Sequence, residues 1–278
     1  DCVNNLKKIN YKNYKIIVVD NASSDDSVEI LNEELKNCTI IKSKKNLGFA
    51  GGNNLGVNYA LDHKADYILL LNNDTIVELQ FLNNMLNSFS MDSKIGIVGC
   101  KIMYYPEKSI IWYGGGYIDW FKFIGVHYGM RQIDKGQCDN KKEIDFVTGC
   151  CMLVKREVFE KVGLLSEDYF MYFEDVDFCV KVKNAGFVMW YNPEAIIYHK
   201  VGLSSGGEES PFSIEWCTRN RLLFMYKYKN NVSKFRLMLS KIFFYSTRCI
   251  RFFQYVIGNE YNKSKAIING IRNYNKIK

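Results

Sequence analysis

Three acidic side chains fall within four positions, Glu174, Asp175 and Asp177 in YFEDVDFC, surrounded by aromatic residues. Crowded carboxylates in apolar surroundings raise one another's proton affinity, which is what a general base needs. The same residues also suit a helix N-terminus, where the macrodipole favours acids. Asp74 closes the run LLLNND beside Asn72 and Asn73. A hard cation such as Mg2+ or Mn2+ takes oxygen ligands and shares them with phosphates, although Asn and Asp after a strand are equally ordinary turn formers. His199, in IIYHKVG, is one of three histidines and is either a ligand or a structural residue. In GFAGG, residues 48–52, glycine allows close backbone approach, and Asn53 is placed to open a helix whose N–H groups meet a phosphate or ribose. No GK[ST] follows and no GxGxxG is present, so this is neither a P-loop nor a dinucleotide fingerprint. Asp20, ending IIVVD, is a ligand contact or a turn former.

The elements that must hold these residues read as an α/β sheet. Apolar runs at 16–20, 39–42, 67–71 and 95–100 suit strands buried on both faces, as in a mostly parallel sheet. Helical patterns at 27–36, 53–63 and 78–89 lie between them. The polar clusters DNASSD, NLGFAGGNN and NND follow strands, where open α/β sheets bind ligands. Residues 101–150, rich in Tyr, Trp and Gly, predict strands and loops over the site. A helix is expected from near Asp175 to Asn184, then a short strand at 195–198 and a flexible Gly/Ser stretch at 202–207.

The whole chain of 278 residues, 47% hydrophobic and 15% aromatic, excludes disordered and collagen-like classes. Nine cysteines without a CxxC pair predict reduced thiols of a cytoplasmic protein. No run of about 18–20 apolar residues is present to span a bilayer. The net charge of +7 is unevenly placed: residues 1–218 hold 23 basic and 29 acidic side chains, residues 219–278 hold 14 and 1. The basic end calls for an anionic partner, nucleic acid or a membrane surface.

In order along the chain, VVDNASSDDS, NLGFAGGNNLG, LLLNND, DFVTGCCMLVKREVFEKVG, FEDVDFC and the later YH resemble the family 2 glycosyltransferases of the GT-A fold, in particular their rhamnosyltransferase and galactofuranosyltransferase branch. The resemblance covers about residues 1–230. It implies a Rossmann-like, mostly parallel sheet flanked by helices, divided into a nucleotide-binding half (1–100) and an acceptor-binding and catalytic half (101–230). It implies that Asp20 meets the nucleobase, that Asn21 helps to bind the nucleotide, and that residues from Asn46 to Asn53, Gly48 among them, lie along the nucleoside. Asn72, Asn73 and Asp74 stand where the family has its DXD motif, Asn72 and Asn73 serving the nucleotide and Asp74 the divalent metal. His199 matches a histidine completing that metal site, Asp175 the catalytic base and Glu174 its neighbour. The implied reaction is inverting transfer of a sugar from a nucleotide-diphosphate donor, dTDP-rhamnose or another, to a glycan or lipid-linked saccharide in cell-surface polysaccharide synthesis. A sugar nucleotidyltransferase and an inactive membrane-associated scaffold are the alternatives. Family members open with a hydrophobic strand roughly VSIIIVNYN; here Asp1, Cys2 and Val3 correspond to the helix after it, so an N-terminally incomplete sequence is expected.

Residues 231–278 are expected as a basic amphipathic helical tail. Laid at ~100° per residue, Phe235, Met238, Ile242, Phe243, Ile250 and Phe253 share one half of a helix over 234–257, and Arg236, Lys241, Arg248 and Arg251 the other. That arrangement fits a peripheral helix on an anionic membrane face, the alternative being a helix packed on the catalytic domain. Nucleic acid is not expected as a partner, because no nucleic-acid module surrounds the charge. Arg219 and Arg221 suit either the diphosphate of a lipid-linked acceptor or helix-surface ion pairs.

Overall fold

The structure, a computed structural model, describes residues 2–25, 38–201 and 209–277. The helix expected at 27–36 and the stretch at 202–207 lie outside the described residues. In chain order the elements are α1 (Cys2–Leu6), β1 (Ile17–Asp20), β2 (Thr39–Lys42), α2 (Gly48–Asp62), β3 (Tyr67–Leu71), β4 (Thr75–Val77), α3 (Phe81–Asn87), β5 (Ile95–Tyr104), β6 (Ile111–Tyr113), β7 (Gly116–Asp119), β8 (Ile124–His127), β9 (Lys142–Ile144), β10 (Cys151–Lys155), α4 (Arg156–Val162), α5 (Glu174–Asn184), β11 (Val188–His199), α6 (Pro211–Lys227), α7 (Lys234–Ile257) and α8 (Tyr261–Ile277). They form two compact units, Asp1–Tyr117 with His127–Lys200, and Ile118–Val126 with Val201–Lys278.

In the first unit the main sheet runs β3-β10-β5-β11-β4, with β6 on β5 and β9 on β11. β5 is buried at nine of its ten positions, as its near-continuous apolar sequence requires. The sheet is mixed rather than mostly parallel: β11 runs parallel to β5, whereas β10 is antiparallel to β3 and β5, and β4 to β11. Continuous apolar runs report burial on both faces and not strand direction, so the sequence pattern is the same in either case. β1 and β2 pair in parallel as a separate two-stranded sheet.

α2 begins at Gly48, five residues before the expected start at Asn53. The physical reason is tertiary, since Phe170 O accepts from Phe49 N at 2.6 Å and from Ala50 N at 3.4 Å. These are helix-start donors that would otherwise lack a partner. Gly52 and Gly56 let α2 lie close to β1: a Cβ at Gly56 would stand 3.3 Å from Val19, and one at Gly52 3.1 Å from the Asn21 amide. The helix expected over 78–89 is shortened to α3 and a 3-10 turn, because Glu78 N is taken by Ile196 O in the sheet. The strand at 195–198 is the end of the twelve-residue β11.

In the second unit α6 packs on α8, and α7 on α8. Gly270 permits the first contact, where a Cβ would lie 2.6 Å from Glu215 O. Ser210 and Ser233 cap α6 and α7, their hydroxyls accepting from Ser213 N (3.1 Å) and Arg236 N (3.2 Å). Trp120 stacks on Phe224 at 5.9 Å. α6 therefore groups with the helices of 231–278, and the unit boundary falls at 200/201. Arg221 is interior, donating to Lys122 O at 2.5 Å with its guanidinium 5.2 Å from the Phe244 ring. All nine cysteines are free thiols; six are buried, and Cys249 is exposed.

Candidate active site

The chain enters α5 through a run of strained backbone. Phe170, Tyr172 and Phe173 all have positive φ, at 59°, 67° and 76°, conformations that cost on the order of 1–3 kcal/mol each for non-glycine residues. They deliver Asp175 into the first turn of α5, where its Oδ2 accepts from Gly149 N at 2.9 Å and its Oδ1 from Val176 N at 2.8 Å. Burial raises the Asp175 pKa, against the lowering effect of these hydrogen bonds. Glu174 is raised well above the carboxylate range by burial and then by the charge of Asp175, and its Oε2 is buried without a hydrogen-bonding partner. Asp177 accepts from Tyr169 Oη at 3.1 Å and faces the interior. Of the three carboxylates, Asp175 alone keeps partial exposure.

Register places His199 beside Asp74. β11 pairs with β4 so that His199 stands opposite Thr75, the residue after Asp74. His199 Nε2 lies 3.1 Å from Asp74 Oδ1 without hydrogen-bond alignment, which leaves Asp74 Oδ1 buried with no hydrogen-bonding partner; the other ring nitrogen, His199 Nδ1, is also buried without one. A carboxylate oxygen and an imidazole left in this state fit a divalent cation. Among the described residues no group of three His, Cys, Asp or Glu could hold a metal. Asn72 uses its backbone for structure, its N donating to Cys150 O at 2.9 Å and its O accepting from Thr75 Oγ1 at 2.7 Å; Asn73 is exposed.

On the β1 side, Asp20 is buried, and its Oδ1 accepts from Ser23 N at 3.1 Å, the turn-forming role. Asn21 donates from Nδ2 to Asn46 Oδ1 (3.2 Å) and Gly48 O (2.9 Å), and accepts at Oδ1 from Leu47 N (2.9 Å). Both its amide hydrogens are engaged, so its geometry is that of a clamp on the 46–48 loop. Asn46 Oδ1 also accepts from Gly48 N at 2.9 Å. Asn53 sits in the second turn of α2 and donates to Phe49 O at 2.9 Å, and with Phe49 N and Ala50 N engaged by Phe170 O the helix start is not the open anion site expected from sequence.

These parts meet at Gly149 and Cys150. Gly149 N holds Asp175, and the next carbonyl, Cys150 O, holds Asn72 N. The Phe49 ring lies 3.1 Å from a Cβ built at Gly149, which joins the loop after Asn46 to the same point. Sequence reasoning did not find Phe170 as the acceptor for α2, nor Trp112, whose ring stands edge-on to His199 at 4.6 Å and to His127 at 4.7 Å. His127 is pushed down to about 4, chiefly by burial, and its Nδ1 lies 3.0 Å from Trp112 O. The i, i+4 spacing of Gly52 and Gly56 was the available signal for the close approach of α2 to β1 and the residue after it.

An α/β unit with helices on a mixed central sheet and a helical C-terminal part has the GT-A glycosyltransferase architecture, as the solved structure of GalNAc-T7 with UDP, GalNAc and Mn2+ does (TM-score 0.61, 16% identity, covering 78% of this chain and 44% of that one). Residues 1–163 match the profile of glycosyl transferase family 2, and the chain belongs to that family. Among curated relatives it is similar to the low-salt glycan biosynthesis hexosyltransferase Agl10 of Haloferax volcanii, 26% identical over 220 residues, covering 75% of this chain and 66% of the relative. It is also similar to the dTDP-rhamnosyl transferase RfbF of Shigella flexneri, 22% identical over 201 residues, covering 71% and 63%. The chain thus spans slightly less than two thirds of the length of these relatives.

Proposed function

We propose that this chain is a metal-dependent, inverting hexosyltransferase that moves a sugar from a nucleotide-diphosphate donor, dTDP-rhamnose or another, to a glycan or lipid-linked saccharide in cell-surface polysaccharide synthesis. The observation that carries this reading is the junction at Gly149 and Cys150, which ties a carboxylate of raised proton affinity to the strand end bearing Asp74. Asp175 takes the proton from an acceptor hydroxyl as that oxygen attacks the anomeric carbon on the face opposite the leaving diphosphate, and inversion follows. Burial raises the proton affinity of Glu174 well above the ordinary carboxylate value, and Asp175, which keeps partial exposure, is the better placed of the pair to act as the base. Asp20 and the loop of Asn46 and Gly48, clamped by Asn21, border the nucleoside, with Asn53, Asn72 and Asn73 at its edges. Asp74 and His199 are the residues that would hold a divalent cation, Mg2+ or Mn2+, whose chemistry when bound is to neutralise the departing diphosphate. The work is done at the cytoplasmic face of a membrane, where the basic tail contacts anionic lipid.

A thermal-shift panel with UDP, GDP, CDP and dTDP, each with and without Mn2+, tests this reading. Stabilisation by one nucleotide that depends on Mn2+ and is lost in His199→Ala is the expected result. Stabilisation by none of them, in the presence of metal, would overturn it.

A further inference from the structure

α7 turns its apolar side outward. Phe235, Met238, Ile242, Ile250, Phe253 and Ile257 are all exposed, Phe235 by 67% and Ile257 by 81%, whereas the side buried in the helical unit is carried by Ser240, Phe244 and Tyr255. A surface helix that only packs on its own domain does the reverse. Phe243, expected on the apolar half, is half-buried with its ring 5.4 Å from Phe121. At ~100° per residue, exposed Lys234 and Lys241 border the outward stripe on one edge and exposed Arg236 on the other. α7 contains no acidic residue. Among the described residues no helix is long and apolar enough to cross a membrane, so α7, about 36 Å long at ~1.5 Å per residue, suits lying flat. Stripe-to-stripe pairing of two copies would set like charges together along both borders, while anionic headgroups complement them.

We propose that the outward side of α7 is a docking surface for an anionic phospholipid leaflet, with Phe235, Ile242, Ile250, Phe253 and Ile257 among the acyl chains and Lys234, Arg236 and Lys241 at the headgroups. This rests on the membrane-surface part of the proposed function and identifies the face that makes the contact. The test is co-sedimentation of the full chain with phosphatidylcholine vesicles with and without phosphatidylglycerol. Binding is expected to the anionic vesicles, to weaken at least about tenfold in Ile242→Glu/Phe253→Glu, and to be unchanged in Asp175→Asn, which separates it from failure of the catalytic assignment. An environment-sensitive fluorophore on Cys249, the exposed thiol of the same helix, should shift to the blue with anionic vesicles even if the double variant folds poorly. Absence of binding to anionic vesicles, no blue shift, or a lipid-free dimer that the double substitution makes monomeric would overturn the proposal.

Discussion

Asp175 is held by two backbone N–H groups, and its proton affinity is set by the balance between them and burial. Asp175→Asn keeps the shape and removes the proposed base, so transfer should fall by ~10²–10⁴ with nucleotide affinity nearly unchanged, as calorimetric titration and steady-state rates would show. A wild-type rate would remove Asp175 from the mechanism. Because the base works deprotonated and its pKa is raised, kcat should fall as pH drops through a value above the ordinary range of ~4. A pH–rate profile whose acid limb lies within that ordinary range would contradict this placement. The acidity of YFEDVDFC was legible in the sequence, and the resemblance pointed to Asp175, but the separate environments of the three carboxylates were not: Tyr169 donates to buried Asp177 and burial raises the proton affinity of Glu174.

At the scale of elements, α2 and the strained turn before α5 meet through one carbonyl. Gly48 has φ +71°, and a Cβ there would lie 2.2 Å from Phe170 O, whereas Gly163, at φ +78°, has nothing within 4 Å. Gly163, with ψ −167°, sits in a backbone region essentially restricted to glycine, so Gly163→Ala should cost the backbone strain alone, on the order of 1–3 kcal/mol. Gly48→Ala should cost more and also lower kcat, since moving Phe170 disturbs the run that delivers Asp175. Urea unfolding and rate measurements on the two variants separate strain from collision; equal costs would show that the Phe170 contact has no weight. Among the described residues β1, β2, β3, part of β5 and the end of β11 could be read from apolar runs and the other six strands could not; nor could the start of α2, because its N–H acceptor lies about 120 residues further along the chain.

For the whole molecule, charge is unevenly divided, residues 1–218 holding 23 basic and 29 acidic side chains and residues 219–278 holding 14 and 1. His127 illustrates how the first unit responds to acid: neutral in the fold down to about 4, it titrates at the usual 6.5 when unfolded. The folded state then binds fewer protons than the unfolded one across that window, so stability rises with pH there and is lost as pH falls from 6.5 toward 4. The imidazole stacks on Phe146 at 5.7 Å and stands edge-on to Tyr113 at 5.0 Å, so phenylalanine is a fitting replacement. Between pH 7 and pH 4, His127→Phe should lose roughly 3 kcal/mol less stability than the wild type. Parallel losses in denaturant melts at the two pH values would show that another group controls acid unfolding.

The order of motifs, the apolar runs and the uneven charge are local or compositional, and the sequence alone determined from them the α/β class, the family resemblance and the basic amphipathic tail. Tertiary structure decided what depends on distant neighbours. Sheet direction followed from the insertion of β10 between β3 and β5, and the proximity of Asp74 and His199 from the register of β4 on β11. The outward orientation of α7 was likewise decided by burial of Phe244 and Tyr255 within the helical unit. A helical period shows that an apolar side exists, but which side is exposed depends on contacts that the period does not contain.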